Sequence, residues 1–255
     1  MGTLRILEAV RACSLTKFTR VYQAGSSELF GIVKESPQNE MTPFHPRSPY
    51  GVSKQFSYWT MINYREAYGM HASNGILYNT ESPRRSKDFV TRKITWTVAR
   101  IKRGLQSHLD IGNLDAKRDW SHVQDFVRGM WLMLQQEEGD DYVLSSDVAR
   151  PVREFVTEAF LAVGIDLVWT GEPGSVQEKG VDSADPSRVL VVVNPQFFRP
   201  VEVFDLRGDS QKARSRLNWH PSISFRSLVA EMVAADLAAI DREMMSPVVV
   251  SSIHS

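Results

Sequence analysis

The sequence has a single cysteine, Cys13, among 255 residues, which excludes an internal disulfide and points to a reducing compartment, the cytoplasm. Its six histidines are scattered, with no HxxxH, HxH or CxxC spacing, so no transition-metal site is expected. No apolar run reaches the roughly 18 residues of a membrane-crossing helix. The opening MGTLRILEAV lacks the basic stretch and long apolar core of a leader, and Ile6 stands where a myristoylation signal wants Ser or Thr. Thirty Lys and Arg balance thirty Asp and Glu, so no net field steers the chain toward nucleic acid or an anionic membrane. Glycine is scarce early: only Gly2 precedes Gly25, and no GxxGxxG follows a strand anywhere. The glycine-rich turn that holds a dinucleotide pyrophosphate at a helix N-terminus is therefore missing from this sequence.

What is there is a globular composition, 42% apolar, enough for one large core or about one and a half ordinary domains. Leu4, Leu7 and Val10 at helical spacing predict an opening helix, and FTRVYQA a strand ending in the small residues Ala24 to Ser27. After a proline-rich loop from Glu35 to Pro49, the amphipathic YGVSKQFSYWTMINYREAYG predicts a long helix beginning at Tyr50. HASNGILY predicts a strand, FVTRKITWTVARIKRG a helix with Val90, Ile94, Val98 and Ile101 on one stripe, and LDIGN a short strand. Val123, Phe126, Val127, Met130 and Leu134 make another helical face, with the Met and Trp residues of GMWLMLQ read as a buried stripe. YVLSS then reads as a strand and VREFVTEAFLAVG as a helix closed by Gly164. This alternation predicts an α/β fold with a parallel sheet. From Leu167, the strands LVWTG and RVLVVVNP and helices over Ser210 to Leu217 and from Phe225 predict a smaller α/β lobe, and residues 241–255 a tail.

The chemistry concentrates at two places. Tyr50 and Lys54 stand four apart, which puts a phenol and an ammonium on one helix face roughly 5–6 Å apart. At an effective dielectric near 20 such a pair contributes about 3 kcal/mol toward the phenolate. Lowering a phenol from about 10 to about 7 takes roughly 4 kcal/mol. A Tyr and Lys on a helix face are more often a solvated edge, so the pair gains meaning only from its surroundings. Ser26, Ser27 and Glu28 follow a strand at its C-terminal end, where open α/β sheets bind ligands. By themselves they read equally as turn chemistry and a loop carboxylate.

Strand-GSSELFG, a proline-rich loop and SPYGVSK together resemble the extended short-chain dehydrogenase/reductases. YQAGSSELFG, PFHPRSPYGVSK, NGILYNTESPRR, FVTRKI, GNLDAKRDW, MWLMLQ, VREFV, FFRPVEV and LNWHP narrow that resemblance to the GDP-mannose 4,6-dehydratase family, in that family's order, from Gly2 to about Leu237. The resemblance implies NADP as cofactor and GDP-mannose as substrate. It also implies transient oxidation at C4, loss of water across C5 and C6, and hydride return to C6, giving GDP-4-keto-6-deoxymannose. Tyr50 would take the C4 hydroxyl proton, Glu28 the C5 proton, Ser26 would hydrogen-bond the C4 oxygen, and Lys54 would hold the nicotinamide ribose. Thr80 and Arg85 would meet the cofactor, and Asn79, Val90, Lys93, Arg118, Arg199 and Glu202 the GDP-sugar. A homo-oligomer, dimer or tetramer, is implied as well.

The family pattern also sets what departs from it. About its first third is absent, so the fold expected is an N-terminally truncated Rossmann-type parallel sheet with a smaller C-terminal α/β lobe. Residues 1–79 would be the remaining part of the NADP-binding domain, 80–240 mainly the GDP-sugar lobe, and about 121–147 would return to the Rossmann sheet. FTRVYQA is expected to be left as an edge with one uncovered face. Gly25 and Ser26 replace Ser and Thr of the family pattern, keeping one hydroxyl, and Thr80 replaces His. Two other readings stay open at this point: a non-catalytic or partner-dependent remnant, favoured by the absent pyrophosphate turn, and a related nucleotide-sugar epimerase or reductase, disfavoured by Glu28.

Overall fold

A computed structural model describes residues 1–197 and 206–245. They divide into two compact units. The first holds Met1–Glu81, Asp115–Val152 and, among the described residues, 206–225; the second holds Ser82–Leu114 and residues 153–197 and 226–245. The first unit thus includes Asp115–Val152, which contains the 121–147 expected to return to it, and residues 206–225.

The first unit is built on a parallel sheet in the order β1 (Arg20–Ala24), β2 (His71–Leu77), β7 (Asp141–Leu144). Strand alternation sends side chains to two layers. Val21 and Ala72 meet Leu7 of α1 (Gly2–Ala12) and Met61 and Tyr64 of α2 (Pro49–Tyr68). Ile76 and Val143 join Leu29, Phe30 and Tyr58 on that side. Tyr22, Leu77, Tyr142 and Leu144 instead meet Phe126 and Met133 of α4 (Val123–Met133), and Ala213 and Leu217 of α6 (Gln211–Leu217). β1 is the edge strand of this sheet among the described residues. Neither of its faces is bare, since Val21 packs under α1 and Tyr22 against the α4 side.

Helix α2 starts one residue before the expected Tyr50. Ser48 caps it, its Oγ accepting from the Gly51 N–H at 3.0 Å, and Pro49 occupies the first helical position, where a missing N–H costs nothing. It ends at Gly69 with φ 60°, a left-handed cap. A buried carboxylate ties it to the sheet: Asp141 accepts from Tyr58 Oη at 3.1 Å, Asn74 Nδ2 at 2.8 Å and Arg65 Nη2 at 2.6 Å. Past β2, β3 (Asn79–Glu81) pairs in parallel with β6 (Trp120–His122), and β5 (Lys117–Arg118) pairs antiparallel with β8 (Arg150–Pro151).

The second unit has a four-stranded sheet ordered β4 (Leu109–Ile111), β11 (Val189–Val193), β10 (Lys179–Asp182), β9 (Leu167–Thr170). Only β4 and β11 are parallel; the other pairs are antiparallel. It carries α3 (Val90–Lys102), α5 (Val152–Leu161) and α7 (Phe225–Met245). Asp236 on α7 is fully buried and accepts from Arg92 Nε at 2.8 Å and Thr95 Oγ1 at 2.7 Å on α3. α7 runs past the expected tail boundary at 241, because Ile240 is buried and Asp241 accepts from Arg103 Nε at 2.6 Å. Residues 246–255 lie outside the described residues. Three positions read as apolar stripe are exposed: Val90, Val127 and Trp131.

Candidate functional site

At the C-terminal end of β1 the chain turns tightly against β2. Gly25 donates its N–H to the Gly75 carbonyl at 2.8 Å, and a Cβ there would lie 2.5 Å from that oxygen. Ser26 then caps a short 3-10 turn, Ser27–Leu29, with its Oγ accepting from the Glu28 N–H at 3.2 Å. Ser27, Leu29 and Phe30 are buried and anchor the turn, which leaves Glu28 exposed on its outer side.

The start of α2 lies against this turn. A Cβ on Gly51 would stand 2.8 Å from the Glu28 carbonyl oxygen, so the Glu28 backbone touches the helix one residue past Tyr50. One turn along, Lys54 donates from Nζ to the Ala24 carbonyl at 2.8 Å, and that Nζ is 5.5 Å from the centroid of the Tyr50 ring. Tyr50 itself is 54% exposed, so its phenol is accessible. Ser26, Glu28, Tyr50 and Lys54 are therefore gathered at one end of a parallel sheet, the end where open α/β sheets take ligands.

Asn79, Thr80 and Arg118 belong to the same unit. Asn79 and Thr80 sit on β3 directly beyond β2, with the Asn79 N–H donating to the Asp119 carbonyl at 3.0 Å and Thr80 Oγ1 donating to the Tyr78 carbonyl at 3.3 Å. Arg118, on β5, donates from Nη1 to the Lys117 carbonyl at 2.7 Å. The second unit holds Arg85, whose guanidinium lies 3.5 Å over the Phe89 ring, and Val90, which opens α3. It also holds Lys93, with Nζ 3.8 Å over Phe197. Burial lowers the pKa of Lys93, against the pull of Asp110. Arg199 and Glu202 lie outside the described residues.

Sequence reasoning passed over Asp119, between Arg118 and Trp120. It is fully buried, its Oδ1 accepts from the Ser146 N–H at 2.7 Å, and burial pushes its pKa to about 6. An acid inside the charged run DAKRDW looks like surface; only the pairing of β3 with β6 and the bond to Ser146 show otherwise.

The family model described as GDP-mannose 4,6 dehydratase matches residues 1–232. The chain belongs to the GDP-mannose 4,6-dehydratase family. It is 53% identical over 238 residues to the GDP-mannose 4,6-dehydratase of Sinorhizobium fredii, covering 93% of this chain and 67% of that protein. It is 51% identical over 237 residues to the Drosophila melanogaster protein and 49% over 241 residues to the human one, in each case covering 93% of this chain, and 59% and 63% of those proteins. The chain thus spans about six- to seven-tenths of the length of these relatives. Among solved structures, RMD from Pseudomonas aeruginosa complexed with NADPH superposes with a TM-score of 0.78 at 22% identity, covering 93% of this chain and 72% of that one. A dTDP-glucose 4,6-dehydratase from Bacillus anthracis in complex with NAD superposes with a TM-score of 0.71 at 19% identity, covering 92% and 66%. The fold is accordingly α/β with a Rossmann-type parallel sheet, and the shared name of the relatives at about 50% identity does not favour the epimerase or reductase alternative.

Proposed function

We propose that this chain carries the reacting end of an NADP-dependent GDP-mannose 4,6-dehydratase, a carbon–oxygen lyase. The observation that supports the reading is the contact of the Glu28 main chain with the first turn of α2, the helix that carries Tyr50 and Lys54. The donor set fits the nicotinamide end of a dinucleotide: an accessible phenol, an ammonium with two further N–H donors beyond its bond to Ala24, and a serine hydroxyl. For the pyrophosphate end, this sequence offers no glycine-rich turn.

When bound, the dinucleotide supplies a hydride acceptor for C4 and later a hydride donor for C6. Tyr50 takes the proton of the C4 hydroxyl, and Ser26 donates a hydrogen bond to the C4 oxygen. Lys54 holds the nicotinamide ribose. Once C4 is a ketone the C5 proton is acidic; Glu28 would take it and return it to the C6 hydroxyl as that group leaves as water, and the proton that Tyr50 took from the C4 hydroxyl would go to C5 when hydride adds at C6. Exposure of Glu28 on a turn capped by Ser26 and anchored by buried Leu29 and Phe30 suits this reversible role. Thr80 and Arg85 are assigned to the cofactor, and Asn79, Val90, Lys93 and Arg118 to GDP-mannose, where a guanidinium and an ammonium suit a diphosphate. The enzyme works as a homo-oligomer, dimer or tetramer.

Incubation with GDP-mannose and NADP, followed by detection of a 4-keto-6-deoxy sugar nucleotide, tests the reading. Formation of that product in the parent protein and its loss in Tyr50→Phe support it. A product that is epimerised but keeps its C6 hydroxyl overturns it.

A further inference from the structure

We infer that Gly51 is a positioning residue of the reaction proposed above, its missing side chain setting how closely the Glu28 turn approaches the Tyr50 end of α2. The inference rests on that reading for its consequence and on contact geometry for its substance.

Gly51 is the third residue of α2, is buried, and has no positive φ, so backbone freedom does not explain it. Inside a helix alanine is the better former. Gly69, at the other end of the helix, shows the contrast: its φ is 60° and nothing lies within 4 Å of a Cβ built there. At Gly51 the space is filled. A Cβ would stand 2.8 Å from the Glu28 carbonyl oxygen, 2.9 Å from Pro46 Cβ and 3.4 Å from Ser48 Oγ.

The nearest of these atoms cannot swing aside. The Glu28 carbonyl is main chain in a turn whose N–H side is capped by Ser26 Oγ and whose next two residues, Leu29 and Phe30, are fully buried. Ser48 is held as the cap of α2. A methyl group at position 51 therefore parts two pieces of backbone rather than two side chains. The Lys54 bond to Ala24 fixes the helix one turn further on, so the separation opens at the Tyr50 end. Gly51 has no side chain to offer a ligand; it acts through the spacing of the Glu28 main chain and the Tyr50 end of α2.

The test compares Gly51→Ala with Val52→Ala, an exposed change in the same turn. We expect Gly51→Ala to stay folded by circular dichroism and to lose roughly 100-fold in kcat with KM within about twofold, as a misplaced reacting group does. A second readout does not depend on turnover: with 13C-labelled tyrosine, the Tyr50 ring resonance should move on Glu28→Gln in the parent and fail to move in the Gly51→Ala background. A Gly51→Ala protein matching Val52→Ala in both readouts overturns the inference. So does its failure to fold, which would make the contact one of global stability. Full restoration by adding Pro46→Gly also overturns it, since that would assign the clash to Pro46 and not to Glu28. A parent protein that leaves GDP-mannose unchanged refutes the dehydratase reading alone, and the tyrosine resonance still decides the role of Gly51.

Discussion

Lys54, one turn after Tyr50, donates from Nζ to the carbonyl oxygen of Ala24, the last residue of β1, at 2.8 Å. The bond links the helix that carries the phenol to the strand end that leads into Ser26 and Glu28. Replacing Lys54 by Met removes the ammonium but keeps the apolar stem. On the proposed function, product formation from GDP-mannose should drop by about 100-fold or more. The bond is near the surface, so the loss of stability should stay within about 1 kcal/mol. Urea melts alongside product assays check both halves of that expectation.

Asp141 makes the other attachment of α2, and it is a buried one. It accepts from Tyr58 and Arg65 on the helix and from Asn74 on β2. Asp141→Ala would leave a largely buried guanidinium and amide without their carboxylate, which costs about 3–5 kcal/mol when one partner of such a pair is removed. A urea midpoint shifted by much less would show that the three donors find other acceptors.

Stability should depend on pH through Asp119. Burial raises its pKa from 3.8 to about 6, against the bond from Ser146. The native state therefore holds this proton where the unfolded chain has released it, and stability falls as pH rises from about 4 to about 6, by up to about 3 kcal/mol. Glu40, raised by burial, acts in the same direction. Glu8 acts oppositely: Arg11 and Tyr64 hold it down at about 2. Its contribution is present above its ordinary value and lost as pH falls toward about 2, outside the Asp119 window. Urea melts near pH 4.5 and near pH 7 should show the parent weaker at the higher pH, and Asp119→Asn should flatten that difference. Equal slopes in the two proteins would contradict the assignment.

Local pattern foresaw the elements that position the site. Leu7 in the opening helix, the strand ending at Ala24, the helix carrying Tyr50 and Lys54, and Gly164 with φ 73° after α5 all follow from spacing and turn chemistry within about ten residues. The buried carboxylates escaped it. Asp125 accepts from Ser222 and Ile223, 97 and 98 residues away, and Asp141 from Asn74, 67 residues away; an acid whose partners are that distant reads as surface charge. Val127 and Trp131 were misplaced for a related reason. They flank the buried face of α4 set by Phe126 and Met133, and the width of an apolar stripe is decided by what packs on it. The contact between Gly51 and the Glu28 carbonyl was invisible as well, because it joins a turn and a helix start that meet only after β1 and α2 have docked.

The division of labour between Tyr50 and Glu28 is tested most directly by Glu28→Gln, assayed in deuterated water with GDP-mannose and NADP. The account predicts that absorbance of the reduced nicotinamide rises, as C4 oxidation by way of Tyr50 survives, while no deuterium enters C5 and no 4-keto-6-deoxy product forms. Dehydration at the parent rate in that variant would contradict it.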